Sequence, residues 1–171
     1  QTDAGYIEAS FHSADISDWD LVVVGFRKAE TYNVANFAAN SAALGTADPE
    51  YTDFACFGVG GALMKLNSFA CLNNDGAYAD AFTTVGDNSA FKDSGVTVAD
   101  DTTFIVRVEV DTSGVVTYKY ANNVASTTDV SSFTTITPDG TSTLGVQHTF
   151  DAGDIIVPFI RIKTTGTSDN T

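Results

Sequence analysis

The sequence is poor in basic residues. Eight Lys and Arg stand against 22 Asp and Glu in 171 residues, so the formal net charge is −14. A field of this sign repels nucleic-acid backbones and anionic membrane surfaces, and neither kind of partner is expected. The acidity suits a protein that must stay soluble, even in salty water. The alternative is calcium binding, because Asp and Asn oxygens suit a hard cation, although no D-x-D-x-D-G loop is present.

Cysteines and long apolar runs are also scarce. Cys56 and Cys71 lie in apolar surroundings and are too few for a disulfide framework. We interpret them as two buried thiols, with a single bridge as the alternative. Together with the distant His12 and His148 they make no recognisable zinc motif, so calcium is the one cofactor considered. No stretch approaches the ~18 apolar residues of a membrane span, and no secretion signal opens the sequence.

What the sequence does contain is alternation. In the stretch 103–120, TFIVRVEVDTSGVVTYKY, every second residue from Phe104 to Val110 is apolar, and the positions between them include Arg107 and Glu109. This period of two is typical of a half-buried strand. Asp-Thr-Ser-Gly at 111–114 supplies turn chemistry, and the alternation then resumes. The stretch predicts a β-hairpin.

Other segments predict further strands. The near-continuous apolar run 21–28, LVVVGFRK, indicates a strand that is covered on both faces or lies centrally. Pro158 cannot donate to a ladder, so the strand around it is predicted to be an edge or to be bulged. Residues 155–163, which contain Pro158, predict the last strong strand. Further strand patterns occupy residues 5–11, 51–59, 63–72, 78–85, 95–98 and 144–150, and residues 124–136 are predicted to be extended.

Few segments favour anything other than strand. Residues 30–45 are rich in Ala and Asn and favour a short helix or an ordered loop, while residues 86–101 are mostly loop-like. Residues 73–76, Asn-Asn-Asp-Gly, predict a tight turn. These patterns together predict one all-β domain over residues 1–171, an antiparallel β-sandwich with frayed tails at 1–4 and 164–171.

Catalytic constellations are not evident. Retaining glycosidases need two carboxyl groups about 5–5.5 Å apart, and no E-x-D-x-x-E string is present to supply them. Glu109 is interpreted as half of a solvated ion pair with Arg107, which lies on the same face of the hairpin. No G-x-S-x-G elbow occurs, and His148 is interpreted as a half-buried structural histidine. The chain is therefore predicted not to be an enzyme.

Aromatic and amide side chains offer one candidate binding site. A sugar could stack on an exposed ring and bond to Asn and Asp if the loops that carry these residues meet at one end of the domain. The candidate carbohydrate-binding residues are Trp19, Asn73, Asn74, Asp75, Tyr78 and Asn122. The alternative is that Trp19 is a core or interface anchor and that the polar residues only form turns.

The order of these segments resembles a known family. The segments VVVGFRKAE (22–30), YTDFACFGV (51–59), LNNDG (72–76), the hairpin 103–120 and FDAGDIIVPFIRIK (150–163) are similar to concanavalin-A-like lectin/glucanase domains, in particular those of tailed-bacteriophage structural proteins. The resemblance implies a concanavalin-A-like jelly roll. Lectin members hold calcium in an Asp/Asn-rich loop, but no calcium-binding pair can be aligned here, and the catalytic acids of the glucanase members are absent.

The resemblance implies a function as well as a fold. We expect a non-enzymatic viral structural protein, a head-decoration or fibre domain on the virion surface that contacts capsid or other virion proteins and forms a homo-oligomer. Trp19 and the strand near Pro158 are the expected contacts. The alternative is a secreted or extracellular carbohydrate-binding, lectin-like module for host or environmental glycans.

Overall fold

The described part of the chain is built from β-strands. The computed structural model describes residues 3–16, 19–29, 53–60, 68–75, 91–124, 132–136 and 148–164. Within these ranges there is no α-helix, and the strands are β1 (Gly5–Ser13), β2 (Trp19–Lys28), β3 (Asp53–Gly60), β4 (Ser68–Asp75), β5 (Phe91–Thr97), β6 (Thr102–Val110), β7 (Val116–Ala121), β8 (Thr134–Ile136) and β9 (Ile156–Thr164).

These strands form two sheets. One has four strands in the order β1-β6-β7-β8, and the other has five in the order β5-β4-β3-β2-β9. Every pairing among the described strands is antiparallel. The predicted all-β, antiparallel character is therefore confirmed for the described residues.

The hairpin β6–β7 has the predicted turn. The Asp111 Oδ1 atom accepts hydrogen bonds from the backbone N–H groups of Ser113 (2.8 Å) and Val115 (2.9 Å). Gly114 has a φ of +84° and donates its N–H to the Asp111 carbonyl at 3.0 Å. An added Cβ at Gly114 would also meet the Phe150 carbonyl oxygen, so both the conformation and the space favour glycine.

Strand β2 is buried on both faces, as its apolar run predicts. Val22, Val23 and Val24 are fully buried although successive side chains point to opposite faces. The strand also lies between β3 and β9 within its sheet. Each buried valine contributes about 1.5–3 kcal/mol relative to an exposed one, so β2 is a main source of stability.

Both sheets contribute to one hydrophobic core. The ring of Phe57, in β3, lies 6.0 Å from that of Tyr118 and 6.2 Å from that of Tyr120, both in β7. The described core residues are Ile16, Val24, Phe26, Ala55, Phe57, Val59, Val98, Phe104, Val106, Val108, Val110, Val116, Tyr118, Tyr120, Ile136 and Phe150.

Strand β9 lies at the edge of its sheet, as Pro158 predicts. Among the described strands only β2 pairs with it, and the register has no bulge at Pro158. The Ala29 N–H donates to the Ile155 carbonyl at 2.7 Å, which fixes the phase of this ladder. Odd-numbered residues of β9 therefore bond to β2, and even-numbered residues direct their N–H and C=O groups away from it. Pro158 is even-numbered, so its missing N–H removes a donor from the outer side of the sheet and leaves the ladder with β2 complete.

The prediction of a turn at residues 73–76 is wrong for its first three residues. Asn73, Asn74 and Asp75 lie in β4, where their partners are residues 53–55 of β3. Pairing with a strand that is itself buried outweighs the local preference of Asn and Asp for turns. Of the strand predicted at 63–72, residues 68–72 lie in β4, and residues 63–67 fall outside the described ranges.

Other predicted segments are displaced or lie outside the described ranges. Strand β5 begins at Phe91, within the segment predicted to be mostly loop. In the segment 124–136, which is predicted to be extended, β8 is the strand that the structure describes, and residues 125–131 fall outside the described ranges. The predictions for residues 30–45 and 78–85 fall outside the described residues. In the segment 144–150, the described part contains a bridge from Thr149 to Val115.

The two cysteines belong to neighbouring strands but do not face each other. Cys56 is opposite Leu72, and Cys71 is opposite Phe57. Residues directly opposite share a face and successive residues alternate, so positions 56 and 71 lie on opposite faces of the sheet. Cys56 is buried, and this arrangement of the two positions does not favour the bridge considered as an alternative.

Candidate functional site

The candidate site lies on the outer face of the four-stranded sheet. The register places Glu8, Arg107 and Lys119 side by side on β1, β6 and β7, and it places Tyr6 beside Glu109 in the next row. Their neighbours in sequence point to the core. Alternation therefore collects one tyrosine and four charged side chains on the face away from the core.

Arg107 is the centre of an ion-pair network. Its guanidinium lies 2.6 Å from the Glu8 carboxylate and 3.4 Å from that of Glu109. Lys119 contacts the other oxygen of Glu109 at 2.7 Å. The predicted pair of Arg107 and Glu109 is therefore present, but it is only part-exposed and is extended by Glu8 and Lys119.

Two aromatic rings also contact this guanidinium. Its central carbon lies 4.5 Å from the ring centroid of Tyr6 and 4.5 Å from that of Phe133, so the cation has two cation–π contacts. Burial lowers the pKa of Arg107, but the hydrogen bonds and charges of Glu8 and Glu109 outweigh it and raise that pKa above its usual range. Arg107 is therefore a fixed cation that holds Tyr6 in place.

Tyr6 also lines a surface groove. Its volume is about 320 Å³, and it is lined by Ala4, Gly5, Tyr6, Glu109, Val110, Asp111 and Thr117. Tyr6 remains 63% exposed, so most of its surface is open to a ligand. The groove combines an aromatic ring with carboxylate and hydroxyl groups. These groups can stack against an apolar ring face and can accept or donate hydrogen bonds around it.

The carboxylates beside the groove already have partners. Both oxygens of Glu109 contact cations, and Asp111 accepts two backbone hydrogen bonds through one oxygen. Such groups are fixed in position and suit recognition better than proton transfer, which needs a carboxyl group in contact with the reacting bond.

A second polar contact is buried where His148 meets Asp53, the first residue of β3. The Nε2 atom of His148 lies 2.8 Å from Oδ1 of Asp53, and both side chains are buried. These two atoms do not form a well-aligned hydrogen bond, so the contact is a close approach of two buried polar groups. The His148 ring packs edge-on against Phe150 at 4.5 Å. His148 is thus more deeply buried than the predicted half-burial.

A partly buried ion pair lies at the same end of the five-stranded sheet as Asp53. Lys28 Nζ contacts Asp154 Oδ1 at 2.6 Å. This hydrogen bond, opposed by some burial and supported by the charges of Asp154, Asp53 and Asp151, raises the pKa of Lys28. Lys28 thus offsets part of the local excess of carboxylates.

Strand β9 and the residue just before it carry three of the four exposed large apolar residues that the structure describes. Ile155 is 73% exposed, Ile160 54% and Ile162 59%. Ile160 and Ile162 lie opposite Val24 and Val22, so they share the face that elsewhere packs on the core. Contiguous exposed apolar residues on an open sheet edge are the usual mark of an interaction surface.

The predicted carbohydrate residues do not come together at one end. Trp19 begins β2, and the Asn122 Nδ2 atom donates to the Thr97 carbonyl at 3.2 Å, which places both near the same end of the five-stranded sheet. Asn73, Asn74 and Asp75 lie at the far end of β4, about 20 Å along the strand from Ser68. Tyr78 lies outside the described residues.

Local alternation in the sequence identifies Tyr6 as an outward-facing side chain. Tyr6 and Glu8 alternate with Ile7 and Ala9, which marks them as outward-facing in a first strand. What the sequence could not supply is that β1 pairs with β6, because the two are far apart in the chain.

Two features are absent from the part of the chain that the structure describes: a cluster of metal ligands and a membrane-spanning helix. The described residues contain no group of three or more His, Cys, Asp or Glu side chains placed to hold a metal ion. The helix-free ranges likewise offer no helical segment suited to crossing a bilayer.

Comparisons of the chain with family models, with curated proteins and with solved structures found no match.

Proposed function

We propose that this chain is a non-enzymatic structural protein of the virion surface, a head-decoration or fibre domain of a tailed-phage particle. In this proposal the two sheets and their shared core form a concanavalin-A-like sandwich, or jelly roll, over the whole chain. Its partners are capsid or other virion proteins and further copies of itself. The support for the fold is the antiparallel pairing of both sheets and the residues they contribute to one core.

The open edge of β9 carries the proposal of assembly. It combines exposed isoleucines with outward backbone groups that pair with no strand in the described ranges. Solitary soluble proteins usually block such an edge with charges, proline or a covering segment. Pro158 blocks one position only, and no described strand covers the rest. An edge that is open over Ile160 and Ile162 suits a protein whose partner covers it.

The charge distribution supports a non-enzymatic role on a particle surface. A net charge of −14 keeps a densely displayed protein soluble. Glu8 and Glu109 are both engaged by Arg107, so the carboxylates on the outer face act as structural anions.

Immunogold microscopy of particles from the source culture tests this function. Antibodies against the purified chain should label the particle surface in a regular pattern, and mass spectrometry of gradient-purified particles should detect the chain at a fixed stoichiometry. Protein that stays entirely in the particle-free fraction would contradict the proposal.

The groove at Tyr6 favours a second candidate function, saccharide binding. An exposed aromatic ring beside hydroxyl and carboxylate groups suits the apolar face and the hydroxyl rim of a sugar. The Arg107 guanidinium packs on this ring and limits its freedom, so binding would cost little side-chain entropy. A virion protein can also bind a host glycan, so the two functions are compatible.

A glycan array, read with calcium and again with a chelator, tests the second function. Binding to a defined sugar that is lost in Tyr6→Ala and retained in Tyr6→Phe would support stacking in the groove. Binding unaffected by Tyr6→Ala would move the site elsewhere. Dependence on calcium would point to a metal in the site rather than to the ring alone.

A further inference from the structure

We infer that the open edge of β9 binds β9 of a second copy of this chain, antiparallel about a two-fold axis at Ile160. This inference rests on the proposed assembly function and names its partner. An interface between identical chains about a two-fold axis must be self-complementary, since each residue meets the same surface from the other side. An antiparallel pair of identical strands satisfies this condition.

The phase of the ladder limits the registers that are available. Even-numbered residues of β9 direct their backbone groups outward, as the Ala29–Ile155 hydrogen bond shows. In a pair of such strands, even-numbered residues of one copy must lie opposite even-numbered residues of the other. This is possible only if the two-fold axis passes through a residue and not between two residues. Ile160 is the midpoint of β9, which runs from Ile156 to Thr164, so an axis there pairs the whole strand.

The exposure of the side chains selects the same axis. With the axis at Ile160, this residue meets its own copy, and Ile162 meets Pro158 of the partner. All of these positions are exposed in the single chain. An axis one residue earlier would instead place Ile162 on Ile156 of the partner, which already packs against the core.

The charges and Pro158 agree with this register. An axis at residue 161 would set Arg161 opposite its own copy, and an axis at residue 162 would set Arg161 opposite Lys163. Like charges directly opposite destabilise a strand pair. With the axis at Ile160, the two basic residues meet Phe159 and Val157. Pro158 then costs one hydrogen bond on each side, because its carbonyl still accepts from Ile162.

Disulfide trapping tests the register. Ile160→Cys should form an intermolecular disulfide on mild oxidation, because directly opposite residues lie about 4.5–5.5 Å apart between Cα atoms. Ile162→Cys is the matched control. Its two copies would be four residues out of register, about 14 Å apart, and should not cross-link. The wild-type chain under the same oxidation controls for Cys56 and Cys71. Faster cross-linking of the control would overturn the register.

Light scattering coupled to gel filtration tests the partner. The wild type should be a dimer at high micromolar concentration, and Ile160→Lys should be a monomer with an unchanged circular dichroism spectrum. Ile155→Lys adds the same charge at a more exposed isoleucine just before the strand, and it should stay dimeric. A wild type that is monomeric throughout would overturn the second copy as partner. The immunogold result would still decide the assembly function, so the two failures are distinguishable.

Discussion

Replacing Arg107 with methionine should reveal how much the outer-face network stabilises the fold. The change keeps an apolar stem over the sheet but removes the guanidinium that joins two rings and two carboxylates. Tyr6 and Phe133 then lose the cation that contacts both rings. Glu8 and Glu109 lose the positive charge that neutralises them.

The magnitude follows from the contacts. The Arg107 side chain is only 25% exposed. Two cation–π contacts are worth about 0.5–1 kcal/mol each at this exposure. The two ion pairs add about 0.2–1 kcal/mol each. The expected loss is therefore about 2–3 kcal/mol in the free energy of unfolding, or roughly 6–9 °C in Tm for a chain of this size.

Urea and thermal denaturation of Arg107→Met and Lys119→Met provide the comparison. Lys119 also contacts Glu109, and it is buried to the same degree, but no ring contact of its ammonium group is described. Its loss should cost about 0.2–1 kcal/mol. Arg107→Lys should fall between the two, because an ammonium group cannot contact both rings and both carboxylates at once. Equal losses for Arg107→Met and Lys119→Met would refute the role of the rings.

Three further predictions concern the turn, the ion pair of Lys28 with Asp154, and the core. Gly114→Ala should cost about 1–2 kcal/mol, because φ is +84° and the new Cβ meets the Phe150 carbonyl; an unchanged urea midpoint would contradict the turn geometry. Asp154 raises the pKa of Lys28, so the stability it adds is complete below the ordinary pKa of 10.5 and is lost as the pH rises through the raised value. The difference in unfolding free energy between wild type and Asp154→Asn should therefore disappear at strongly alkaline pH, and a difference that grows there would reverse the sign. Phe57→Ala should cost about 3–5 kcal/mol in urea denaturation, and a loss under about 1 kcal/mol would place its ring outside the core.

Sequence patterns predicted correctly those elements whose structure depends on residues close together in the chain. The hairpin over residues 103–120 forms as its alternation and Asp-Thr-Ser-Gly turn indicate, because the hydrogen bonds that form its turn and join its two strands lie within one short segment. Pro158 identified an edge because the missing N–H is a property of the residue itself. The run Val22–Val24 indicated burial on both faces because three successive valines leave neither face polar.

Patterns failed where distant strands decide the outcome. Asn73, Asn74 and Asp75 favour a turn by themselves, but pairing with β3 makes them strand. The same pairing separates them from Trp19 and Asn122. The groove at Tyr6 needs the register between β1 and β6, and no local feature of either strand encodes it. The sequence therefore predicts the members of the candidate site only as separate outward-facing residues.

The pairing of β2 with β9 has a consequence for how the chain is made. Val22 lies opposite Ile162, which leaves the ribosome 140 residues later. At about 5–20 residues per second this delay is roughly 7–28 s. Until then the nascent chain presents an unpaired side of its most apolar strand. Slow synthesis or premature termination should thus favour aggregation, and a chaperone that shields β2 should raise the yield of native protein.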